Sequence, residues 1–301
     1  HLKGDLVKAA KLLESIHKHS GKSVRIGITG SPGVGKSTFI ETFGRHLTAQ
    51  NKKVAVLAID PSSYKTKGSI LGDKTRMEEL AKDPLAFIRP SATRNTLGGV
   101  TTGTRESILL CEAAGFDFII IETVGVGQSE IAVRNLVDFF LLLQLAGSGD
   151  ELQGIKKGIM EMADGIAITK ADGENLKKAT QAQADFTHAL HLFQLPDSGW
   201  NRKVLMTSAL EKKGIEETIN MITEYVRFTS ANGYFEKNRH HQDIVCFHDC
   251  FNSSLLHLLM QRSSLEKSKK EMEKEIIAGQ ITPWQASRQL SNLMLDTLKK
   301  I

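Results

Sequence analysis

The residues with the clearest chemical purpose are Gly30-Ser31-Pro32-Gly33-Val34-Gly35-Lys36-Ser37, which fit the spacing G-x-x-x-x-G-K-[ST]. Glycines in such a loop let the backbone bring several N–H groups toward one anion. Lys36 adds a full positive charge that can reach the β- and γ-phosphates of a nucleotide, and the Ser37 hydroxyl is an oxygen ligand for Mg²⁺. Gly33, Val34, Gly35, Lys36, Ser37 and Thr38 are therefore expected to hold phosphate. A second acid-bearing stretch is Phe118-Ile119-Ile120-Ile121-Glu122-Thr123-Val124-Gly125. Nucleotide hydrolases place an acid at such a strand end to hold Mg²⁺, usually through water, so Glu122 takes that role and the Gly125 N–H can sense the γ-phosphate. Gln128 follows closely and is the candidate for positioning the attacking water.

A third stretch bears on the choice of base. Thr169-Lys170-Ala171-Asp172 has the form N/T-K-x-D, the guanine-reading element of G proteins. Asp172 can accept from guanine N1–H and N2–H₂, and adenine offers neither donor there, so a buried, unpaired carboxylate would penalise ATP. The Lys170 stem can pack across the ring. Ser208-Ala209-Leu210 after the next strand would bring backbone N–H groups to guanine O6.

These side chains need a scaffold that converges them. Val24–Thr29, Val54–Asp60, Ala86–Pro90, Asp117–Thr123, Asp138–Leu145, Asp164–Thr169 and Lys203–Thr207 are apolar runs of strand length. Several are continuous, as parallel strands buried on both faces are. Between them lie helical stretches: Ser37 to about Gln50, Thr104 to Ala114, Ile155 to Met162, Glu174 to Leu192 and Gly214 to about Ala231. The alternation predicts an α/β fold with a doubly wound, mainly parallel sheet. Acids at the carboxyl ends of its strands, Asp60 and Glu122, fall where such sheets bind ligands. Pro90 is expected to stop its strand, and Ser91–Thr102 reads as a mobile segment near the phosphates.

Outside that region, residues 1–22 form an amphipathic helical extension. The nucleotide domain spans 23–232, and 233–301 is a helical tail. In the tail, helices are expected over Ile244–Gln261, Leu265–Ala278 and from Pro283 through Leu298. This tail is too thin for a core of its own, so it must pack on something else. His240, His241, Cys246, His248 and Cys250 lie close in sequence, but Cys246 and Cys250 are four apart without a second pair, so they read as buried helix residues rather than a zinc site.

The chain has 301 residues, 41% of them hydrophobic, with net charge +5 and three cysteines. The one basic cluster, Lys267-Ser268-Lys269-Lys270, is interleaved with glutamates and reads as a solvated helix face, so no nucleic-acid partner is expected. No run approaches the ~20 apolar residues of a membrane span, and no membrane association is expected. His1–Asp5 lacks the pattern of a secretory leader. The sparse cysteines fit a reducing compartment, the cytoplasm or, in a eukaryote, the mitochondrial matrix.

Together, Gly30–Thr38, Asp60-Pro61-Ser62-Ser63, Gly72-Asp73-Lys74-Thr75-Arg76-Met77, Leu97-Gly98-Gly99, Glu122–Glu130 and Asp150–Gly158 resemble the MeaB/ArgK-type GTPases, G-protein chaperones of adenosylcobalamin-dependent acyl-CoA mutases. The resemblance runs from about residue 4 through nearly the whole chain. It implies a SIMIBI-type P-loop GTPase fold binding GTP or GDP with Mg²⁺. It implies that Asp60 and Asp73 join Ser37 and Glu122 around the metal. It also implies a homodimer built on the C-terminal arm, and a loop from Gly147 to Gly158 that couples to a mutase, methylmalonyl-CoA mutase foremost. In the family the mutase stimulates hydrolysis, and the G protein gates cofactor loading and protects or rescues the mutase. Two features depart from the pattern: Thr169 stands where Asn is usual, and Gln128 does not directly follow Gly125. The competing functions are a small-molecule P-loop kinase or ATPase linked to transport, against which Asp172 and Ser208-Ala209 argue, and a non-hydrolysing nucleotide scaffold, against which Lys36, Ser37 and Glu122 argue.

Overall fold

The structure, a computed structural model, describes residues 8, 11–59, 77–91, 99–123, 129–146, 157–260 and 263–298. Seven strands are present among them: β1 (Val24–Gly30), β2 (Val54–Ile59), β3 (Ala86–Ser91), β4 (Phe118–Thr123), β5 (Phe139–Leu145), β6 (Gly165–Thr169) and β7 (Lys203–Met206). They form one sheet in the order β3-β2-β4-β1-β5-β6-β7, and each neighbouring pair is parallel. The helices are α1 (Lys36–Ala49), α2 (Glu78–Ala81), α3 (Gly99–Ala113), α4 (Ser129–Arg134), α5 (Lys157–Met162), α6 (Leu176–His191), α7 (Ile215–Ala231), α8 (Tyr234–Met260), α9 (Ser263–Ile277) and α10 (Pro283–Leu298).

The strand runs are apolar throughout because helices cover both faces of the sheet. One core layer packs α1 and α7 on the sheet through Phe39, Phe43, Ile215, Ile222 and Tyr225. The other packs α3, α6 and the end of α4 through Ile108, Val133, Val137, Phe186 and Leu190. The chain order reverses about β1, which lies between β4 and β5. The crevice at the carboxyl end of β1 is thus the switch point at which such sheets bind ligands.

Three element boundaries differ from expectation. Strand β3 runs through Pro90 to Ser91. It is the edge strand, so the N–H that proline lacks costs no ladder bond on the open side. Helix α3 begins at Gly99 instead of Thr104. Helix α8 begins at Tyr234, ten residues before the apolar stretch, and is 27 residues long.

By contact density the chain divides into one unit that extends to Val245 and a second made mainly of Cys246–Ile301. Within the second, α9 and α10 pack together, and Leu265 and Ala286 are buried. Cys246 and Cys250 are not core residues as expected. Both are half-buried on α8, with their sulfurs 3.8 Å apart. Among the described residues no group of three or more His, Cys, Asp or Glu side chains could hold a metal ion, and no helix is long and apolar enough to cross a membrane.

Candidate functional site

The loop from Gly30 to Lys36 joins the carboxyl end of β1 to α1. A side chain at Gly30 would place its Cβ 2.6 Å from the Leu143 carbonyl oxygen, so only glycine lets β1 and β5 close up there. Gly35 sits at φ 94°, a left-handed conformation that glycine adopts without strain, and it caps the N-terminus of α1, where helix N–H groups lack intrahelical partners. Val34 is buried under the loop. Lys36 Nζ donates to the carbonyl oxygens of Gly30 (2.6 Å) and Ser31 (3.2 Å), so its charge is held over the loop. The Ser37 hydroxyl lies 3.5 Å from Glu122 Oε1. Strand β4 delivers that carboxylate beside the loop, where it is buried. One residue on, the Thr123 hydroxyl donates to Thr29 Oγ1 at 2.8 Å and ties the ends of β4 and β1.

The second half of the site is built by β6 and the segment after β7. Thr169 Oγ1 shares its proton between the carbonyls of Val34 (2.7 Å) and Gln144 (3.0 Å). Threonine therefore ties this strand to the phosphate loop through its hydroxyl. Lys170 has φ 54°, uncommon for a residue with a side chain, and its Nζ donates to the Gly33 carbonyl at 3.0 Å. Such strained backbone costs on the order of 1–3 kcal/mol and gathers at functional sites. Ser208 Oγ donates to Asp172 Oδ2, and its backbone exchanges two hydrogen bonds with Lys213 (2.9 and 3.0 Å). The Thr42 hydroxyl lies 3.4 Å from the Ala209 carbonyl.

These two halves enclose a pocket of about 210 Å³ lined by Val34, Gly35, Thr38, Phe39, Thr169, Lys170, Asp172, Asn175, Thr207, Ala209 and Leu210. Most of the residues expected to touch nucleotide are thus brought to one crevice. Asp60, Asp73, Gly125, Gln128 and the loop 147–156 lie outside the described residues. The sequence reading missed Asn175, Phe39 and Thr207 in the pocket, and the Thr29–Thr123 pair. Asn175 alone carried a signal, standing three residues after Asp172 where one turn of 3-10 helix brings it back to the pocket.

A glycine loop at the switch point of a parallel sheet, an acid on the adjacent strand and a second pocket-lining carboxylate are the arrangement expected of a P-loop GTPase. The family model described as methylmalonyl Co-A mutase-associated GTPase MeaB matches residues 3–264, and the chain belongs to that family. A Mycobacterium tuberculosis protein named as a probable GTPase is 47% identical over 283 residues, covering 94% of this chain and 84% of its own. The mouse protein named methylmalonic aciduria type A homolog, mitochondrial, is 45% identical over 284 residues, covering 94% and 68%. A solved structure described as LAO/AO transport system kinase superposes with a TM-score of 0.70 at 37% identity, covering 95% of this chain and 86% of that one. The chain is a GTPase that binds guanine nucleotide.

Proposed function

We propose that this GTPase is a nucleotide-driven chaperone of an adenosylcobalamin-dependent acyl-CoA mutase, with methylmalonyl-CoA mutase the first candidate. The family's description and the mouse relative's name support the partner. The observation that carries the nucleotide half is the Asp172 carboxylate, oriented by Ser208 at the rim of a pocket whose strand is bonded to the phosphate loop through Thr169. A fixed acceptor in that place selects a base with two adjacent N–H donors.

In the proposed reaction, backbone N–H groups of residues 33–38 hold the phosphates. Lys36 exchanges its carbonyl partners for the β- and γ-phosphate oxygens, where it stabilises charge as the bond to the γ-phosphorus breaks. Gln128 orients the attacking water, and Gly125 reports the γ-phosphate. The facing hydroxyl of Ser37 and carboxylate of Glu122 are hard oxygen donors suited to Mg²⁺, and with Asp60 and Asp73 they would hold it. Bound Mg²⁺ neutralises charge on the phosphate oxygens. The loop 147–158 is the element we assign to contact with the mutase. Residues 233–301 serve as a dimerisation arm, and the protein works in the cytoplasm, or in the mitochondrial matrix of a eukaryote.

The test is co-purification with a cobalamin-dependent mutase, with GTP and ATP turnover followed with and without it. Binding and a rise in GTP turnover are expected. Absence of both removes the chaperone role. The name of the LAO/AO relative favours a second reading, a transport-linked kinase. Phosphoryl transfer to a small molecule from ATP in preference to GTP would establish it.

A further inference from the structure

At the opposite end of the sheet from the phosphate loop, just before β6 and β7, lies a charged cluster that nucleotide chemistry does not use. Asp164 is buried and pairs with Arg134, whose Nη1 is 2.9 Å from Oδ2 and whose Nη2 donates to Oδ1 at 3.2 Å. It also accepts from the Phe140 N–H at 2.9 Å. A second guanidinium, Arg202, stands beside this pair. Its Nη2 donates to the Glu161 carbonyl at 2.8 Å, and its Nε is buried without a hydrogen-bond partner among the described residues. Burial and the neighbouring Arg134 push the Arg202 pKa down, against attraction from Asp164 and, more weakly, Glu161. Arg202 is thus a partly desolvated guanidinium beside an ion pair that is already closed, and its buried Nε–H lacks the acceptor that burial makes it need.

Arg202 lines a pocket of about 100 Å³ between the end of α6 and the stretch 193–202. Leu190, Phe193 and Trp200 supply apolar wall, and His191 and Asn201 are polar residues of the same lining. The Trp200 Nε1–H is already committed to the Asp164 carbonyl at 3.1 Å, so the indole offers a ligand only its carbon surface. An apolar cavity of ~150 Å³ holds benzene, so this one suits a molecule of about four to six heavy atoms. One charged end and one greasy side exclude both an alkane and a fully hydrated inorganic anion as the best fit.

We propose that this pocket is a second ligand site that takes a short-chain organic carboxylate, its carboxylate on Arg202 and its alkyl part against Leu190, Phe193 and Trp200. The ligand's carboxylate supplies acceptor oxygens to the Arg202 guanidinium, whose one hydrogen-bond partner among the described residues is the Glu161 carbonyl. Strand β6 connects this end of the sheet to Thr169, so the site stands roughly 16 Å from the base pocket by strand rise.

Trp200 is buried in the wall, whereas Trp284, the other tryptophan, is 81% exposed. The full-length chain carrying Trp284→Phe thus reports on the pocket through a single indole. Butyrate, n-butanol and inorganic phosphate are each titrated at constant ionic strength. Butyrate is expected to change the emission saturably, with butanol and phosphate at least tenfold weaker. Arg202→Gln, with its fold checked by thermal melting, is expected to weaken butyrate tenfold or more and leave butanol unchanged. An equal response to butanol, competition by phosphate as effective as that of butyrate, or no saturable change in the Trp284→Phe protein overturns the assignment. The last comparison needs no Arg202 variant, so a misfolded variant does not blunt it. GTP is absent throughout, so the result is independent of the chaperone reading.

Discussion

In the proposed reading base choice turns on Asp172, and its environment says how strongly. Its Oδ2 is held by the Ser208 hydroxyl, and Ser208 is itself fully buried. The carboxylate is thus fixed before any nucleotide arrives, and little ordering cost remains at binding. Asp172→Asn replaces an acceptor by an amide donor facing the guanine N2–H₂. A GTP affinity loss of about 100-fold or more, roughly 3 kcal/mol, is expected, with XTP now preferred because xanthine presents an oxygen at that position. Competition between fluorescent GTP and XTP analogues measures both. Thr169 acts one step back. Thr169→Val keeps the shape but leaves the Val34 and Gln144 carbonyls without this donor, inside the core. That substitution is expected to cost about 1–3 kcal/mol in urea unfolding and to weaken GTP binding through the phosphate loop rather than through the base. IDP, which lacks the N2 amine, separates the two: Thr169→Val should weaken IDP and GDP equally, whereas Asp172→Asn should not. The chemical types at 36, 37, 122, 169 and 172 were legible in the sequence because each lies in a short local spacing. That Ser208 is the group orienting Asp172 was not, since a pairing across 36 residues leaves no local trace.

At the scale of elements, the strands were legible because a sheet covered on both faces demands unbroken apolar runs. The root of α8 was not legible, for a physical reason. Residues 236–243 carry no apolar side chain to mark a core-facing helix, yet two of them are buried among partners. Arg239 clamps Asp138 through Nε (2.8 Å) and Nη2 (2.7 Å), and donates to the carbonyls of Gly21 (2.5 Å) and Ser23 (2.6 Å). Gln242 Nε2 donates to the Val137 carbonyl at 2.8 Å, and the Gln242 carbonyl accepts from Arg105 of α3 at 2.7 Å. Arg25 meanwhile grips Glu112 of α3 at 2.8 Å and takes Asp138 Oδ2 on its backbone N–H, also at 2.8 Å. Hydropathy cannot distinguish a buried, fully paired arginine from an exposed one. Because this web joins β1, β5, α3 and α8, removing its centre should cost more than one contact. Arg239→Ala leaves the Asp138 carboxylate buried without its cation, and about 3–5 kcal/mol of stability should be lost in denaturant unfolding. Lys203→Ala, which breaks an exposed pair with Glu224, should shift the same assay far less, because solvent screens that pair. If the two cost the same, the web is not what fixes α8 to the sheet.

For the whole molecule the question is what covers the apolar side chains that one copy leaves in water. Along α8, Ile244, Phe247, Phe251, Leu255 and Leu258 are all exposed, at spacings of three and four that put them on one stripe of the helix. Trp284 and Leu295 are exposed on α10, and Ile277 at the end of α9. Five large side chains on one stripe exceed the scattered apolar residues that a monomer's surface tolerates. Each would contribute about 1.5–3 kcal/mol if fully buried, enough together to offset the cost of association. The domain reading assigns this surface to a second copy. At micromolar concentration the chain should therefore sediment as a dimer. Phe247→Glu with Phe251→Glu puts two charges in the middle of the stripe and should yield a monomer. GTP affinity should stay within about twofold, because Asp172, Thr169 and the phosphate loop all belong to the unit that ends at Val245. A variant that stays dimeric moves the interface off this stripe. A wild-type chain that sediments as a monomer leaves the stripe for another protein to cover.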